Sequence, residues 1–470
     1  GPHLADPRTG QILSAHVIFW DDVLKLAEQW YFSQTSAVDK QAQRLPLPDD
    51  LLGEVVRYVV CHEVGHSIGL RHNHRASQAY TTEQLRDPDF AAEHGPVASI
   101  MSYGRFNYVT QPGDGVERLT PLIGPYDYFA INWGYRPIPG VDSPQAEEET
   151  LNKWASAVND NPWLAFGGED AKATVDPTVL TENIGADRIE SARLGIANLE
   201  RMLEFLVPAT TREHEGFDLL SRMYRGIISN RTTWLTSAAK ELGGVIEQRT
   251  LATGEEPFKR VPAVRQREIL VFLLENLRQG QVFLRPDIVN RIMPVNAIKP
   301  VMDSQNAILD AVLAGGVFKQ MMDAAVLEPD KAYLLPEYLI DIKNSLFAEL
   351  GDDQPSIDAI MRALQRHFLT TIKRFLAAYE NKLDPMLLGL LEGMGIPAEM
   401  VEFMLSTGQG TDFRSAARLM LRELRGELAA AQERAAEITT RAHLEDMLQE
   451  VELILSGNPA APGAASTSPF

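Results

Sequence analysis

Apolar residues recur at helical spacing in the segment that follows Pro48. Steps of three and four residues between them predict an amphipathic helix. The proline at its start and the acidic residues in its first turn are typical of a helix N-terminus. The pattern runs without a break into "VVCHEVGHSIGLRHNH", residues 59–74. The apolar positions are Leu51, Leu52, Val55, Val56, Val59 and Val60.

Two elements are predicted before this helix. "GQILSAHVIFW", residues 10–20, is rich in β-forming residues and follows the turn signal "DPRTG", so it predicts one strand. "DDVLKLAEQWYF", residues 21–32, predicts a helix with Asp21 or Asp22 as its cap.

The pattern changes from about residue 141 onward. "PIPGVDSPQAEEET" predicts a linker, "GGVIEQRTLATGEEPFKRV" (243–261) a hairpin, and the Pro-rich tail 456–470 a disordered end. No repeat of fixed period is present. Amphipathic helices are predicted over 186–206, 214–240, 263–278, 303–326, 335–349, 356–381 and 411–455.

Composition places the chain among ordinary globular proteins, with 470 residues, 45% hydrophobic content and a net charge of -20. This charge argues against a nucleic-acid or anionic-membrane partner. The single cysteine, Cys61, excludes an intrachain disulfide and is expected to be a small buried helix residue. No apolar run approaches the roughly 18 residues of a membrane span. Because the chain begins at Gly1 and shows no signal peptide, we expect a processed form or a fragment.

Three histidines in residues 59–74 have the spacing of a catalytic zinc site. His62 and His66 are four apart on one helix face, so two imidazoles can bind one zinc ion, and Glu63 lies beside them as a general base. A continuing helix would carry His72 away from that ion. Gly69 can adopt the positive φ that ends a helix, and the resulting turn returns His72 to the metal. Three protein ligands with an open fourth position indicate catalytic rather than structural zinc.

"HEVGHSIGLRH" resembles the zinc signature of the metzincin metallopeptidases. The resemblance extends to "SIMSY" (99–103), where Met101 matches the methionine of the tight turn beneath the metal. It also implies that Tyr103 stabilises the oxyanion of the reaction. Packing alone remains the other interpretation of Tyr103.

Further segments are similar to the Met-zincin domain of large, mostly bacterial zinc-dependent metalloproteases. They are "DPRTGQIL", "GLRHNHRAS", "SIMSYGRFNYVTQPGDG" and "GPYDYFAINWGY", with looser matches such as "PEYLIDIKNSLF" in the helical half. The resemblance implies an α+β fold with a zinc peptidase domain over 1–140 and a mainly helical region of unknown role over 141–455. It implies a zinc-dependent endopeptidase in which Glu63 activates the zinc-bound water. Protein or peptide substrates, and export to the periplasm, cell surface or exterior, are expected on the same ground.

One feature departs from the metzincin pattern. Members of that superfamily place a twisted sheet before the active-site helix, whereas only one clear strand is predicted here. We therefore expect an incomplete N-terminal sheet. Either the missing strands belong to a removed N-terminal portion, or the chain is a fragment whose cleft is incomplete and whose substrate alignment is weakened.

Alternatives remain for the ligands and for the function. His74 is a second candidate for the third ligand, and Glu83 or Glu93 would serve under a gluzincin-type scheme. The rival function is a catalytically inactive, zinc-containing binding or assembly protein. "QPGDG" (111–115) predicts a turn with at most a weak calcium role. The oligomeric state is not indicated by the sequence.

Overall fold

The computed structural model describes residues 3–156, 158, 161–169, 176–248, 256–293, 295–380 and 411–456. The chain divides into two compact units. The first comprises residues 1–240, 245–259 and 282–304, and the second comprises residues 241–244, 260–281 and 305–470. This division does not test the functional boundary predicted near residue 140, which stays a prediction.

Helices dominate the described residues. In chain order they are α1 (Asp22–Thr35), α2 (Asp49–Ser67), α3 (Thr82–Leu85), α4 (Pro88–His94), α5 (Pro125–Tyr135), α6 (Pro144–Ser156), α7 (Arg188–Thr210), α8 (Asp218–Ala239), α9 (Ala263–Arg278), α10 (Pro286–Ile292), α11 (Lys299–Val312), α12 (Gly315–Leu327), α13 (Leu335–Leu346), α14 (Ala359–Glu380), α15 (Thr411–Arg434) and α16 (Ile438–Ser456). Short 3-10 turns cover Lys40–Gln43, His74–Gln78, Pro162–Leu164, Gly280–Phe283 and Ala348–Gly351.

The described strands form two pairs. β1 (His3–Ala5) pairs antiparallel with β2 (Ile12–Ala15), and β3 (Val245–Glu247) pairs with β4 (Phe258–Arg260). The predicted α+β class is therefore confirmed. β3 and β4 lie within the hairpin predicted over 243–261, whose turn lies outside the described residues. The strand predicted over 10–20 was too long. β2 ends at Ala15 because its side chains are largely exposed and, in the described part of the chain, it pairs with β1 alone.

A single buried stripe fixes the orientation of α2. Leu51, Val55 and Tyr58 are buried on one face, and the same face continues to His62 and Gly65. Their steps of three and four residues keep them on one side of the helix. Burial of the apolar part therefore places the end of the stripe, and its polar side chains, at a fixed position in the first unit.

Helix packing builds the core of the first unit. α7 packs against α8, and α1 contacts both of them and α2. At the centre, the rings of Tyr108 and Trp234 stack with centroids 4.1 Å apart. Since α1 joins this core to α2, the core supports the helix that carries the candidate zinc ligands.

The second unit is a helical assembly of its own. α15 packs against α16 and α13, and α13 also contacts α9, α12 and α14. Phe318 and Phe413 stack with centroids 5.0 Å apart. The buried ammonium of Lys343 donates to Glu427 at 2.6 Å, which satisfies the charge in the interior.

Three predicted segments are corrected. The helix predicted over 303–326 is two helices, α11 and α12, because Ala314 is extended just before the two glycines that open α12. The helix predicted over 411–455 is likewise two, α15 and α16, which pack against each other. The second half of the predicted linker forms the start of α6, whose Glu147 lies in the first turn where a helix favours negative charge.

Two further expectations concern the C-terminal tail and a membrane span. The predicted disordered tail lies outside the described residues from 457 onward, and α16 ends at Ser456. None of the described helices has the length and apolar character needed to cross a membrane.

His443 on α16 makes stability depend on pH. It is 2% exposed, its Nε2 donates to Gln365 at 2.7 Å, and burial lowers the pKa of its imidazole to about 4. Because this pKa lies below the unfolded value of 6.5, the unfolded chain takes up the proton first as pH falls. The free energy of unfolding should drop between pH 6.5 and 4, with up to about 3 kcal/mol from this group.

Urea unfolding of the wild type and of His443→Gln at pH 7 and pH 5 measures this contribution. We expect a smaller loss of stability at pH 5 in the variant. His214→Gln is the matched control, because the His214 side chain is 89% exposed. An equal pH dependence in wild type and His443→Gln would contradict the assignment.

Candidate metal centre

The C-terminal half of α2 presents the first two histidines. His62 is 4% exposed and His66 is half-buried, and their ring centroids are 4.8 Å apart. Glu63, also half-buried, lies between them along the chain. The three residues therefore lie on α2, within the helix that the sequence predicts.

A sharp turn ends α2 and returns the chain. Gly69 has φ +91°, a left-handed conformation that other residues rarely adopt. The amides of Gly69 and Leu70 donate to the carbonyls of His66 and Gly65, which closes the helix end. As a result His72 lies beside the other two histidines, with its Nε2 3.1 Å from the Nε2 of His66.

Each imidazole is oriented through its other nitrogen. The Nδ1 of His62 lies 2.9 Å from the carbonyl oxygen of Ile100, and that of His66 lies 2.9 Å from the carbonyl oxygen of Leu70. The Nδ1 of His72 contacts the carboxylate of Glu169. Carbonyl and carboxylate oxygens only accept, so the proton of each ring belongs on Nδ1. All three Nε2 atoms are thereby left as unprotonated donors to a metal.

The arrangement fits a zinc ion. One nitrogen from each of the three rings lies within 4.8 Å of the others. Tetrahedral zinc with Zn–N bonds of about 2.0–2.1 Å places its ligands roughly 3.3 Å apart, close to the 3.1 Å between His66 and His72. Two such lone pairs would repel without a cation between them. The buried Nε2 of His62 also finds no hydrogen-bond partner among the described residues, as a metal ligand would require.

Electrostatics favour neutral imidazole at this position. Burial lowers the pKa of His62 to about 4, while the Ile100 carbonyl acts in the opposite direction. The ring is therefore neutral near pH 7, the form that binds metals. The Glu63 charge raises the pKa of both His62 and Tyr103, so the carboxylate lies within electrostatic range of each.

Met101 packs directly beneath α2. It is fully buried, and a Cβ at Gly65 would lie only 2.3 Å from its sulfur. Gly65 thus permits a contact that any side chain would block. The Met101 carbonyl accepts a hydrogen bond from the amide of Asn73 at 3.1 Å, next to the third histidine.

Asp127 on α5 braces the segment that carries Met101. Its carboxylate accepts hydrogen bonds from the Ser99 hydroxyl at 2.6 Å, the Ile100 amide at 2.7 Å and the Gly124 amide at 2.8 Å. Burial raises the pKa of this carboxyl, and the three hydrogen bonds oppose that rise. Since the Ile100 carbonyl orients His62, Asp127 acts on the metal centre through the backbone of one residue, Ile100.

Tyr103 borders the three histidines. Its ring centroid lies 5.1 Å from that of His62 in a stacked arrangement and 4.5 Å from that of His72. The ring is half-buried. Burial raises the pKa of its hydroxyl, and the charge of Arg105 acts against this rise.

The competing ligands lie elsewhere. His74 stacks on His72 at 5.2 Å and forms a second candidate metal-binding group with His72 and Glu169, but it does not join the group of His62, His66 and His72. Glu83 and Glu93 are exposed on α3 and α4 and belong to neither candidate metal-binding group of the described residues.

Two residues of this centre were not anticipated from the sequence. Glu169 contacts a histidine 97 positions earlier, and Arg105 lies over the Tyr103 ring at 4.5 Å. Neither belongs to a local spacing pattern, so a single sequence offers no signal for them.

An open cavity of about 850 Å³ adjoins the turn that follows α2. Its walls come from Ile68–Arg71, from α5 and α6, and from residues near β3. Tyr135 donates from its hydroxyl to the Ile68 carbonyl at 2.5 Å and so ties α5 to the same turn. The lining is mainly apolar.

The ligand assignment predicts the zinc content of single variants. Wild-type protein dialysed against a small excess of zinc should retain one ion per chain. His62→Gln, His66→Gln and His72→Gln should each lose it, because two imidazoles bind far more weakly than three. His74→Gln is the matched control and should retain zinc. Elemental analysis checks the content, and far-UV circular dichroism checks the fold. Retained zinc in His72→Gln, or its loss in His74→Gln alone, would contradict the assignment.

Comparison with known proteins agrees with this geometry. The family model described as Met-zincin matches residues 44–354, well over half of the chain, and the match includes every residue of the candidate centre. No curated protein and no solved structure matches the chain. The family is of the zinc-metallopeptidase type and implies a metal ion, usually zinc. The chain belongs to the Met-zincin family.

Proposed function

We propose that the protein is a zinc-dependent endopeptidase that hydrolyses protein or peptide substrates. The observation that carries the proposal is the convergence of three unprotonated Nε2 atoms, from His62, His66 and His72, beside a carboxylate and a phenol. Such a set has three ligands, a general base and a hydrogen-bond donor to the substrate.

A zinc ion bound by these three nitrogens would supply a Lewis acid that acidifies a water molecule and polarises the scissile carbonyl. The protein's own residues carry out the proton transfer and the stabilisation of the oxyanion. Glu63 accepts the proton of the attacking water and delivers it to the leaving amine nitrogen. The Tyr103 hydroxyl donates a hydrogen bond to the substrate oxygen as negative charge develops on it.

The position of Glu63 supports its role. It is adjacent to His62 on α2, and its charge is felt by both His62 and Tyr103. It is not one of the three nitrogen donors, so it remains available as the general base.

A catalytically inactive zinc protein is the second candidate. The observation that favours it is the small amount of sheet, since the described strands form only two pairs of three- or four-residue strands. Such strands offer little edge along which a substrate could be aligned. Activity measurement separates the two candidates.

The test uses Glu63→Gln, which removes the base while keeping the size of the side chain. The variant should keep its zinc and lose at least about 10²-fold in kcat on a quenched-fluorescence peptide library. Glu83→Gln, at an exposed position on α3, is the matched control and should cleave like the wild type. A metal chelator should abolish wild-type cleavage, and added zinc should restore it.

Three outcomes oppose the proposal. Unchanged turnover in Glu63→Gln would remove the mechanism. Cleavage that resists the chelator would indicate a contaminating or metal-independent peptidase. No cleavage by zinc-loaded wild type across the library and casein would favour the inactive zinc protein.

A further inference from the structure

Arg105 occupies an unusual position next to the metal centre. Its guanidinium lies between two aromatic rings, with Cζ 4.0 Å from the centroid of Trp30 and 4.5 Å from the centroid of Tyr103. Both distances are within the range of cation–π attraction. The planar guanidinium suits stacking in a way that the ammonium of lysine does not.

Glu182 holds this arrangement from the other side. Its carboxylate accepts a hydrogen bond from the Nε of Arg105 at 2.8 Å, and its backbone amide donates to the carbonyl of Tyr103 at 2.6 Å. The indole nitrogen of Trp234 donates to the Glu182 carbonyl at 3.0 Å. Glu182, which is itself bonded to the core residue Trp234, therefore contacts both the Arg105 guanidinium and the Tyr103 backbone.

The backbone here is constrained. Arg105 and Glu182 have φ of 65° and 57°, values that residues other than glycine adopt rarely. At Gly104, between Tyr103 and Arg105, a Cβ would lie 2.4 Å from a methyl of Val97. Such conformations persist where the surroundings fix them, and they are concentrated at functional sites.

Arg105 is poorly placed to bind substrate. Its side chain is only 12% exposed, one side of it faces Trp30, and its Nε is already paired with Glu182. The Tyr103 ring, by contrast, reaches the histidines, 4.5 Å from His72 between centroids. Arg105 also interacts with Tyr58, which is fully buried in the core, so its contact on the side of the histidines is the one with Tyr103.

We propose that Arg105, held by Glu182 and Trp30, is a positioning residue that keeps the Tyr103 ring against the metal histidines. The inference rests on the proposed peptide hydrolysis for its kinetic consequence. Its structural consequence, a fixed Tyr103 ring, is independent of that activity. With the guanidinium removed, the ring can rotate away, and its hydroxyl no longer meets the substrate oxygen.

A double-mutant cycle tests the kinetic consequence in the full-length, zinc-loaded protein. Arg105→Met should lower kcat about 10-fold with KM unchanged, because a displaced donor weakens transition-state stabilisation more than binding. In a Tyr103→Phe background the same substitution should cause no further loss, since the hydroxyl is already absent. Arg105→Lys should recover part of the activity, because a cation is still present over the ring.

Arg86 provides the control for this double-mutant cycle. Arg86→Met removes another arginine paired with a carboxylate, that of Asp114 at 2.7 Å, and should leave kcat unchanged. Equal losses from Arg105→Met with and without the Tyr103 hydroxyl would mean a merely structural role and overturn the proposal.

Fluorine NMR of protein labelled with 3-fluorotyrosine tests the ring position without any activity. The Tyr103 signal is identified as the one missing in Tyr103→Phe. In Arg105→Met that signal should shift or broaden, while the tyrosines other than Tyr103 and Tyr58, which also interacts with Arg105, keep their positions. In Arg86→Met the Tyr103 signal should not change. An unchanged Tyr103 signal in Arg105→Met would overturn the proposal. If wild type cleaves no peptide, the proposed function fails, whereas this spectrum still decides the role of Arg105.

Discussion

The structure depends on one electrostatic constraint, the convergence of three imidazole lone pairs. The Nε2 atoms of His66 and His72 lie 3.1 Å apart, and the Nε2 of His62 is buried. Two unprotonated nitrogens at this distance repel each other, and a cation bound between them would remove that repulsion. The contacts of the Nδ1 atoms with Ile100, Leu70 and Glu169 prevent the rings from turning away.

Successive layers of the first unit hold this convergence in place. Burial of the apolar stripe of α2 fixes the helix, and the left-handed Gly69 brings the third histidine back. Beneath the helix, the sulfur of Met101 fills the space that Gly65 leaves open. Asp127 on α5 then anchors the Met101 segment through three hydrogen bonds. The metal centre is thus joined to buried residues of the first unit.

Local spacing made part of this predictable. His62, Glu63 and His66 share one helix, and Gly69 places His72 within a single turn, so their proximity follows from helix geometry and one glycine. The partners that orient the site come from distant positions, as Glu169 does for His72 and Trp30 for Arg105. Helix ends are also hard to predict from sequence, because contacts with distant residues decide them. The break between α15 and α16 has neither proline nor glycine at residues 435–437, and packing between the two helices decides it. The short β2 likewise reflects missing lateral support rather than poor strand propensity.

The central claim is that the three Nε2 atoms bind one zinc ion and leave a fourth position open. X-ray absorption spectroscopy at the zinc K-edge of the metal-loaded protein measures this directly. We expect three nitrogen ligands with imidazole scattering and one further light-atom ligand from solvent, all at about 2.0–2.1 Å. A sulfur shell from Cys61, four imidazoles, or a single histidine at the metal would contradict it.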